Sequence, residues 1–301
     1  MISSDLHNFG YTLSLMKKLK QIITRVKEVN ENGGPDLDLL WQLICYSPKM
    51  PTRLQQQNLL DESLKFSLEA FDDFFTKGNL VFNGFKWGVG SRLIMITHGW
   101  GSKAADFAEL ITALRELPDT SIIAFDAPGS GSSEGELSNG ELFAKAALAV
   151  IEKYGTPDVM IGHSLGGMAN IMALSRLTTL PKLLISIAPL IRLKENFEAS
   201  MNAAGVSRAA QEEYFESFEH RVGRPALHYD IDKLYKFGPE LKHLVLYDEA
   251  DLISPCDFVS EFLSKRPFIK SKEYTGAGHE RIIKLPEVIS DIVEAVTQFL
   301  I

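Results

Sequence analysis

Apolar positions along this chain follow three rhythms. Near the start, Leu15, Leu19, Ile22, Ile23, Val26 and Val29 recur every three or four residues, with lysines and Arg25 between them. That period predicts an amphipathic helix. Gly33-Gly34-Pro35 stops it, a second short helix runs from Leu37 to Ile44, and Pro48 and Pro51 punctuate a boundary near residue 50. The second rhythm is alternation. Lys65 to Phe71 places Phe66, Leu68 and Ala70 on one face, and Leu80 to Trp87 carries aromatic residues at strand spacing; together they predict an antiparallel opening pair. The third rhythm is the short, mostly apolar run: Leu93 to Ile96, continuous throughout, then Ser121 to Phe125, Asp158 to Ile161, Leu183 to Ala188 and Leu244 to Tyr247. Such runs suit strands buried on both faces of a parallel sheet.

Helical stretches separate these runs, at Ala104 to Leu117, Gly140 to Tyr154 and Met168 to Leu177, and a last strand at Phe268 to Tyr274 precedes a closing helix over Leu285 to Leu300. Strand and helix alternating through short links predict an α/β fold with a mostly parallel, doubly wound sheet covered on both faces. The alternation breaks between Ile191 and Leu241. This charged stretch has Tyr214, Phe215 and Phe218 at helical spacing and no strand run, and it reads as a helical insertion over the carboxyl edge of the sheet. The expected division is an N-terminal helical extension over 1–50, a core over 51–190 and 242–301, and a helical cap over 191–241.

Composition narrows the classes. The chain has 301 residues, 45% hydrophobic and 23% charged, with a formal net charge of −8. An acidic balance without a Lys/Arg cluster argues against nucleic acid as a partner. Cys45 and Cys256 are the two cysteines, in no metal or redox motif, so reduced thiols in a cytoplasmic protein are expected. The N-terminus lacks the pattern of a signal peptide, because Lys17, Lys18 and Lys20 follow the apolar positions. No run reaches the roughly 18 apolar residues that span a bilayer. The basic amphipathic first helix is expected to pack on the main domain or on a second subunit, as in a homodimer, in preference to a membrane surface. His7, His220, His228 and His243 show no metal-ligand spacing.

The candidate chemistry sits in the loops that follow the predicted strands, where open parallel sheets carry their active groups. His98-Gly99-Trp100-Gly101 follows the third strand and Asp126 to Ser133 the fourth. Gly162-His163-Ser164-Leu165-Gly166 joins the next strand to its helix, a Gly-x-Ser-x-Gly turn that holds a serine out of the sheet. Asp251 follows Leu244 to Tyr247, with Asp248 and Glu249 as rivals, and His279 follows the last strand in Gly276-Ala277-Gly278-His279. A serine hydroxyl needs a base, a histidine can be that base, and a carboxylate fixes the histidine's tautomer. A rival reading takes Gly99 to Ala104 as G-x-G-x-x-A with Asp126 ending the next strand, imitating a dinucleotide site. It leaves Ser164, Asp251 and His279 without a purpose. A fold used only for binding is a third reading.

From about residue 65 onward, these motifs and their order resemble the α/β-hydrolase superfamily. The resemblance implies a Ser164–Asp251–His279 triad, with an oxyanion hole from the backbone N–H groups of Trp100 and Leu165. It favours Asp251, because the family's acid stands four residues before a proline and Pro255 is there; Asp248 occupies a position where many relatives have glycine. His98, expected to orient its loop, and His163, beside the nucleophile, are the candidate substrate-pocket residues. The activity implied is hydrolysis of a small carboxylic ester or related acyl compound through an acyl-enzyme, without cofactor or metal. Thioesters, lactones and carbon–carbon bonds remain open as alternatives. A serine at the elbow argues against dehalogenases and epoxide hydrolases, whose relatives use aspartate there.

Overall fold

The computed structural model describes residues 17–29 and 36–300. Leu15 and the expected stop at Gly33-Gly34-Pro35 lie outside the described residues. Among those described, eight strands form one sheet in the order β1-β2-β4-β3-β5-β6-β7-β8. β1 (Leu64–Asp72) and β2 (Gly78–Trp87) are the antiparallel opening pair, and β2 pairs antiparallel with β4 (Thr120–Phe125). β3 (Arg92–Thr97), β5 (Val159–His163), β6 (Leu183–Ile187), β7 (Lys242–Asp248) and β8 (Lys270–Tyr274) continue in parallel from β4.

The apolar runs feed two cores at once. Met95, Ile123, Met160 and Leu184 point to one face of the sheet, and Ile94, Ile122, Ile161 and Ile185 to the other. A strand side chain alternates between faces, so both parities must be apolar when both faces are covered. On the first face lie α5 (Gly140–Tyr154) and α6 (Leu165–Leu174). On the second lie α3 (Leu54–Asp61), α4 (Ala108–Leu114) and α12 (Pro286–Leu300). α5 is bounded by its local chemistry: Asn139 caps the start by accepting from the Leu142 amide, and Gly155, at φ 90°, ends it. α12 opens on Pro286 and buries Val288, Ile292 and Val296 on one stripe.

Several elements depart from the expected pattern. The helix after β3 begins as a 3-10 turn over Ala104–Phe107, and α4 stops at Leu114. Pro118 disfavours helical backbone at Leu117, so the last residues close as turns. α6 starts at Leu165, directly after Ser164, earlier than expected, because its two glycines are placed by packing and not by helix propensity. α3 was not foreseen, since Leu-Gln-Gln-Gln-Asn lacks a helical stripe; its start is secured by the Gln56 side chain accepting from the Arg53 amide.

Residues 17–29 form helix α1, with Ile22 and Val26 buried. α2 (Leu37–Cys45) buries Leu39, Leu40, Trp41 and Ile44. Between β6 and β7 the chain builds α7 (Leu193–Ala203), α8 (Arg208–Val222) and a short α9 (Ile231–Leu234). α2 packs against α7 and α8, and Trp41 stacks on Phe218 with ring centroids 5.8 Å apart. Cys45 and Cys256 are free thiols. Among the described residues, no helix is long and apolar enough to cross a membrane.

The fold's dependence on α12 is measurable. Ile292 is fully buried in the second core, and Ile292→Ala is expected to cost about 2–5 kcal/mol through lost transfer energy and a cavity. Urea unfolding should report it as a lower midpoint at unchanged slope. A loss below about 1 kcal/mol would mean that the helix is not anchored by this stripe.

Candidate active site

β5 ends at His163 and α6 begins at Leu165, so Ser164 alone makes the turn. Its backbone sits at φ 52° and ψ −121°, a conformation that costs a non-glycine residue about 1–3 kcal/mol. The surroundings enforce it. A Cβ on Gly166 would lie 2.3 Å from the His98 carbonyl oxygen, and one on Gly162 would lie 2.7 Å from the Gly166 carbonyl oxygen. Strand and helix therefore touch backbone to backbone, which only glycine permits. The Ser164 amide donates to Ile187 on β6 at 2.9 Å, tying the turn to the neighbouring strand.

Two loops bring the other groups to this serine. His279 lies on the one-turn helix α11 (Gly278–Arg281) after β8. Its Nε2 is 2.8 Å from Ser164 Oγ and its Nδ1 is 2.7 Å from Asp251 Oδ2. The other Asp251 oxygen accepts from the amides of Ile253 at 2.8 Å and Ser254 at 2.9 Å. Burial pushes the Asp251 carboxyl up, but the His279 contact and the two amides outweigh it and hold the group below its ordinary value. The rivals are occupied elsewhere. Asp248, fully buried, accepts from Ala250 and from Ala277, at 3.0 and 2.8 Å. It thereby fastens the loop before His279 to the end of β7. Glu249 is exposed.

The two histidines proposed for the pocket differ. His98 does not line the cavity. It is buried beneath the loop, with Nδ1 2.7 Å from the Gly99 carbonyl and Nε2 accepting from the Ala127 amide at 3.0 Å. It joins the loops after β3 and β4, because a ring with one donor and one acceptor can bridge two backbone groups. His163 does line the cavity. Its Nε2 donates to the His279 carbonyl at 2.9 Å, so it also holds the backbone of the residue that touches Ser164. Burial, helped by the charge of His279, pushes the His163 ring down to about 3.

Trp100, in the loop after β3, and Leu165, directly after the serine, both line the cavity. Among the described residues, neither amide donates to an acceptor within the chain. The Trp100 loop is braced by the segment after α2: Ser47 Oγ accepts from the Gly101 amide at 3.2 Å, and the Lys103 ammonium donates to the carbonyls of Met50 and Pro51, both at 2.7 Å. These braces join residues more than fifty positions apart, and no local pattern announces them. Asp126 Oδ1 accepts from the Ala104 amide at 2.8 Å. A carboxylate thus takes the helix start that a dinucleotide's pyrophosphate would need, which removes the support for that rival reading. Among the described residues, no cluster of His, Cys, Asp and Glu is placed to hold a metal.

Ser164 and His279 open into a cavity of about 820 Å³, within the range of small-molecule sites. Leu165, Met168 and Met172 of α6, Leu193 and Phe197 of α7, and Phe218 of α8 form apolar walls. Arg53, Gln56, Asp106, Glu280 and Lys284 make another part polar.

With this geometry in view, the comparisons with known proteins are informative. The model of the Alpha/beta hydrolase family matches residues 93–286. The chain is similar to monoglyceride lipase of Rattus norvegicus, 34% identical over 112 residues, which is 35% of this chain and 37% of that protein. The chain thus spans little more than a third of the length of such curated relatives. Among solved structures, an esterase of Pyrococcus furiosus superposes with a TM-score of 0.59 at 17% identity, covering 85% of this chain and 97% of the esterase. A monoacylglycerol lipase of Paleococcus ferrophilus gives 0.53 at 20%, over 73% and 98%.

The buried neutral histidines make stability depend on pH. His243, like His163, is pushed down to about 3 by burial, with Arg266 adding to the effect. Below about pH 6.5 the unfolded chain takes up protons that these rings refuse in the folded state, so stability falls as the pH falls toward 3, by about 1.4 kcal/mol per pH unit for each ring. Asp230, raised to about 6 by burial and by Glu195, acts in the opposite sense below pH 6, so the sharp test is a difference. Urea unfolding of wild type and His243→Gln between pH 7 and 5 should show an average slope shallower by about 1 kcal/mol per unit in the variant. Parallel slopes would mean that His243 titrates normally in the fold.

Proposed function

Because the chain belongs to the Alpha/beta hydrolase family, we propose that it is a serine hydrolase that cleaves carboxylic esters with an apolar acyl chain. The observation that carries this reading is the unbroken hydrogen-bond chain from Ser164 Oγ through His279 to Asp251 at the wall of a cavity. In the reaction, His279 Nε2 takes the Ser164 proton as the oxygen attacks the ester carbonyl. The carbonyl oxygen, now negative, meets the amides of Trp100 and Leu165, donors that no other group among the described residues consumes. One such donor is worth roughly 3–4 kcal/mol in a tetrahedral transition state. His279 then returns the proton to the leaving alkoxide, an acyl-serine remains, and water repeats the sequence to release the acid.

Asp251 keeps the Nδ1 proton of His279 in place and stabilises the imidazolium. Its two backbone amides fix the carboxylate's orientation, so the charge needs no reorganisation during the step. The stretch between β6 and β7 acts as a cap, and its apolar residues on the cavity wall favour an acyl chain over a charged acid. The polar part of the cavity, with Arg53 and Lys284, suits the leaving group.

A fluorophosphonate should form one adduct, at Ser164, and none in Ser164→Ala. The same protein should hydrolyse p-nitrophenyl esters, with thioester and lactone substrates run beside them to rank the bond cleaved. Asp251→Asn is expected to lose at least ~100-fold in kcat with little change in KM, because its partner charge exists only in the transition state. Glu249→Gln and Asp248→Asn should lose far less in kcat, and Asp248→Asn should show its effect in thermal stability. Adducts elsewhere, or an Asp248→Asn more crippled in kcat than Asp251→Asn, would break the assignment.

A further inference from the structure

We propose that Trp41 is the end stop of the acyl site and sets the longest acyl chain that the enzyme accepts, an inference that rests on reading the cavity as an acyl pocket. Trp41 belongs to α2, which precedes the sheet in the chain, yet it lines the same cavity as Ser164 and His279.

Strand order fixes where Trp41 stands. β1 is antiparallel to β2, and β2 is antiparallel to β4. The carboxyl end of β1 therefore lies on the same sheet edge as the carboxyl ends of β4, β3 and β5. Phe74, in the turn that leaves β1, lines the cavity. From β5, which ends beside Ser164, to β1 there are four strand steps, roughly 19 Å at 4.8 Å per step. The Trp41 ring packs on Phe75 of that same turn at 6.2 Å between centroids. Ser164 and Trp41 thus stand toward opposite ends of the cavity.

The indole is held as a stop must be. Its N–H donates to Ser217 Oγ at 3.1 Å, it stacks on Phe218 within 8° of parallel, and the Arg221 guanidinium lies 4.5 Å from the ring centroid. Only 3% of the residue is exposed. Arg221 also pairs with Asp38, 3.7 Å away on the same helix, and it is not part of the cavity wall. The far end therefore offers an arriving ligand an aromatic surface with no free cation. Met168, Met172, Leu193 and Phe218 give the wall an apolar part, beside the polar Asn196 and Ser200 of α7 and Glu141 of α5. Met168 and Met172 follow Ser164 by one and two helical turns, so they share one face of α6. The occupant that fits is a single unbranched alkyl chain ending in a methyl group. Staggered C–C bonds of about 1.5 Å advance roughly 1.25 Å per carbon, so a span of roughly 19 Å holds about 15 carbons.

The test uses the full chain and p-nitrophenyl esters from C4 to C18. Wild type should gain in kcat/KM with length and then fall off beyond about C14–C16. Trp41→Ala should move the fall-off to longer chains by two carbons or more and raise the C18-to-C8 ratio of kcat/KM at least tenfold. Trp41→Leu, which keeps an apolar side chain there, should move it less. The second arm needs no catalysis: fatty acids of the same lengths are titrated by calorimetry into Ser164→Ala with and without Trp41→Ala. The length limit for binding should shift in the same way. A limit unmoved by both substitutions in folded protein overturns the role of Trp41. A binding limit that moves in a protein that hydrolyses no ester upholds Trp41 and overturns the hydrolase reading. Ester hydrolysis with an unmoved limit does the reverse.

Discussion

A side chain at residue 166 has nowhere to go. Its Cβ would fall 2.3 Å from one carbonyl oxygen of β3's end and 2.4 Å from another, and the rest of the site depends on that closeness. Backbone contact between α6 and the end of β3 forces Ser164 to absorb the whole change of direction in one residue, at positive φ. A serine so held projects from the sheet instead of packing into it, and the helix that starts one residue later presents an unsatisfied amide beside it. Strain of about 1–3 kcal/mol is tolerable only because the surroundings over-determine the geometry. They do so here through β5 and β6: the serine amide is fixed to Ile187, and its carbonyl accepts from Gly167 and Met168.

The second requirement is that two loops from the ends of β7 and β8 arrive in register. The solution is a set of buried polar side chains, each paired with backbone. Asp248 ties β7 to Ala277, Asp251 is fixed by two amides of its own loop, and His163 holds the His279 carbonyl. Each is largely out of water, where a hydrogen bond is strong and an unmade one costly. The imidazole of His279 is consequently positioned from its backbone side, from its Nδ1 side and by the serine, leaving few ways to turn.

Legibility followed the range of the interactions. The strands could be read because burial on both faces makes every residue of Leu93 to Ile96, and all but Ser186 of Leu183 to Ile187, apolar, a signal contained in the run itself. Ser164 could be read because its glycines neighbour it in sequence. Asp251 was chosen over Asp248 by resemblance, and the contact with His279 favours the same residue, but nothing local showed that Asp248 holds the neighbouring loop. His98 was half read: its part in orienting a loop fits its contacts, while a place in the pocket does not. α3 was missed because its stability comes from docking on the 3-10 turn after β3, with Gln56 Nε2 donating to Asp106 at 2.9 Å; polar residues gave no stripe to see. Ser47 and Trp41 were invisible for the same reason, since their partners lie fifty to nearly two hundred positions away.

Those invisible contacts change the standing of the segment that precedes the sheet. By sequence it lies outside the family's common core, and an appendage of that kind is expected to be separable. Lys103 argues otherwise. Its side chain is buried, and burial pushes its ammonium down while Asp106 and Asp126 pull it up. Two of its three protons go to the carbonyls of Met50 and Pro51. Remove the segment and a buried cation loses its acceptors in the loop that carries the Trp100 amide. Desolvating a charge without partners costs far more than the contacts themselves contribute, so the loop must rearrange before it can tolerate the loss. The Gly101 amide, next to Trp100 in the same loop, would lose Ser47 in the same event. The segment after α2 therefore braces the loop that carries Trp100, and α2 lines the same cavity. One stretch of chain reaches both because it crosses the carboxyl edge of the sheet on its way into β1.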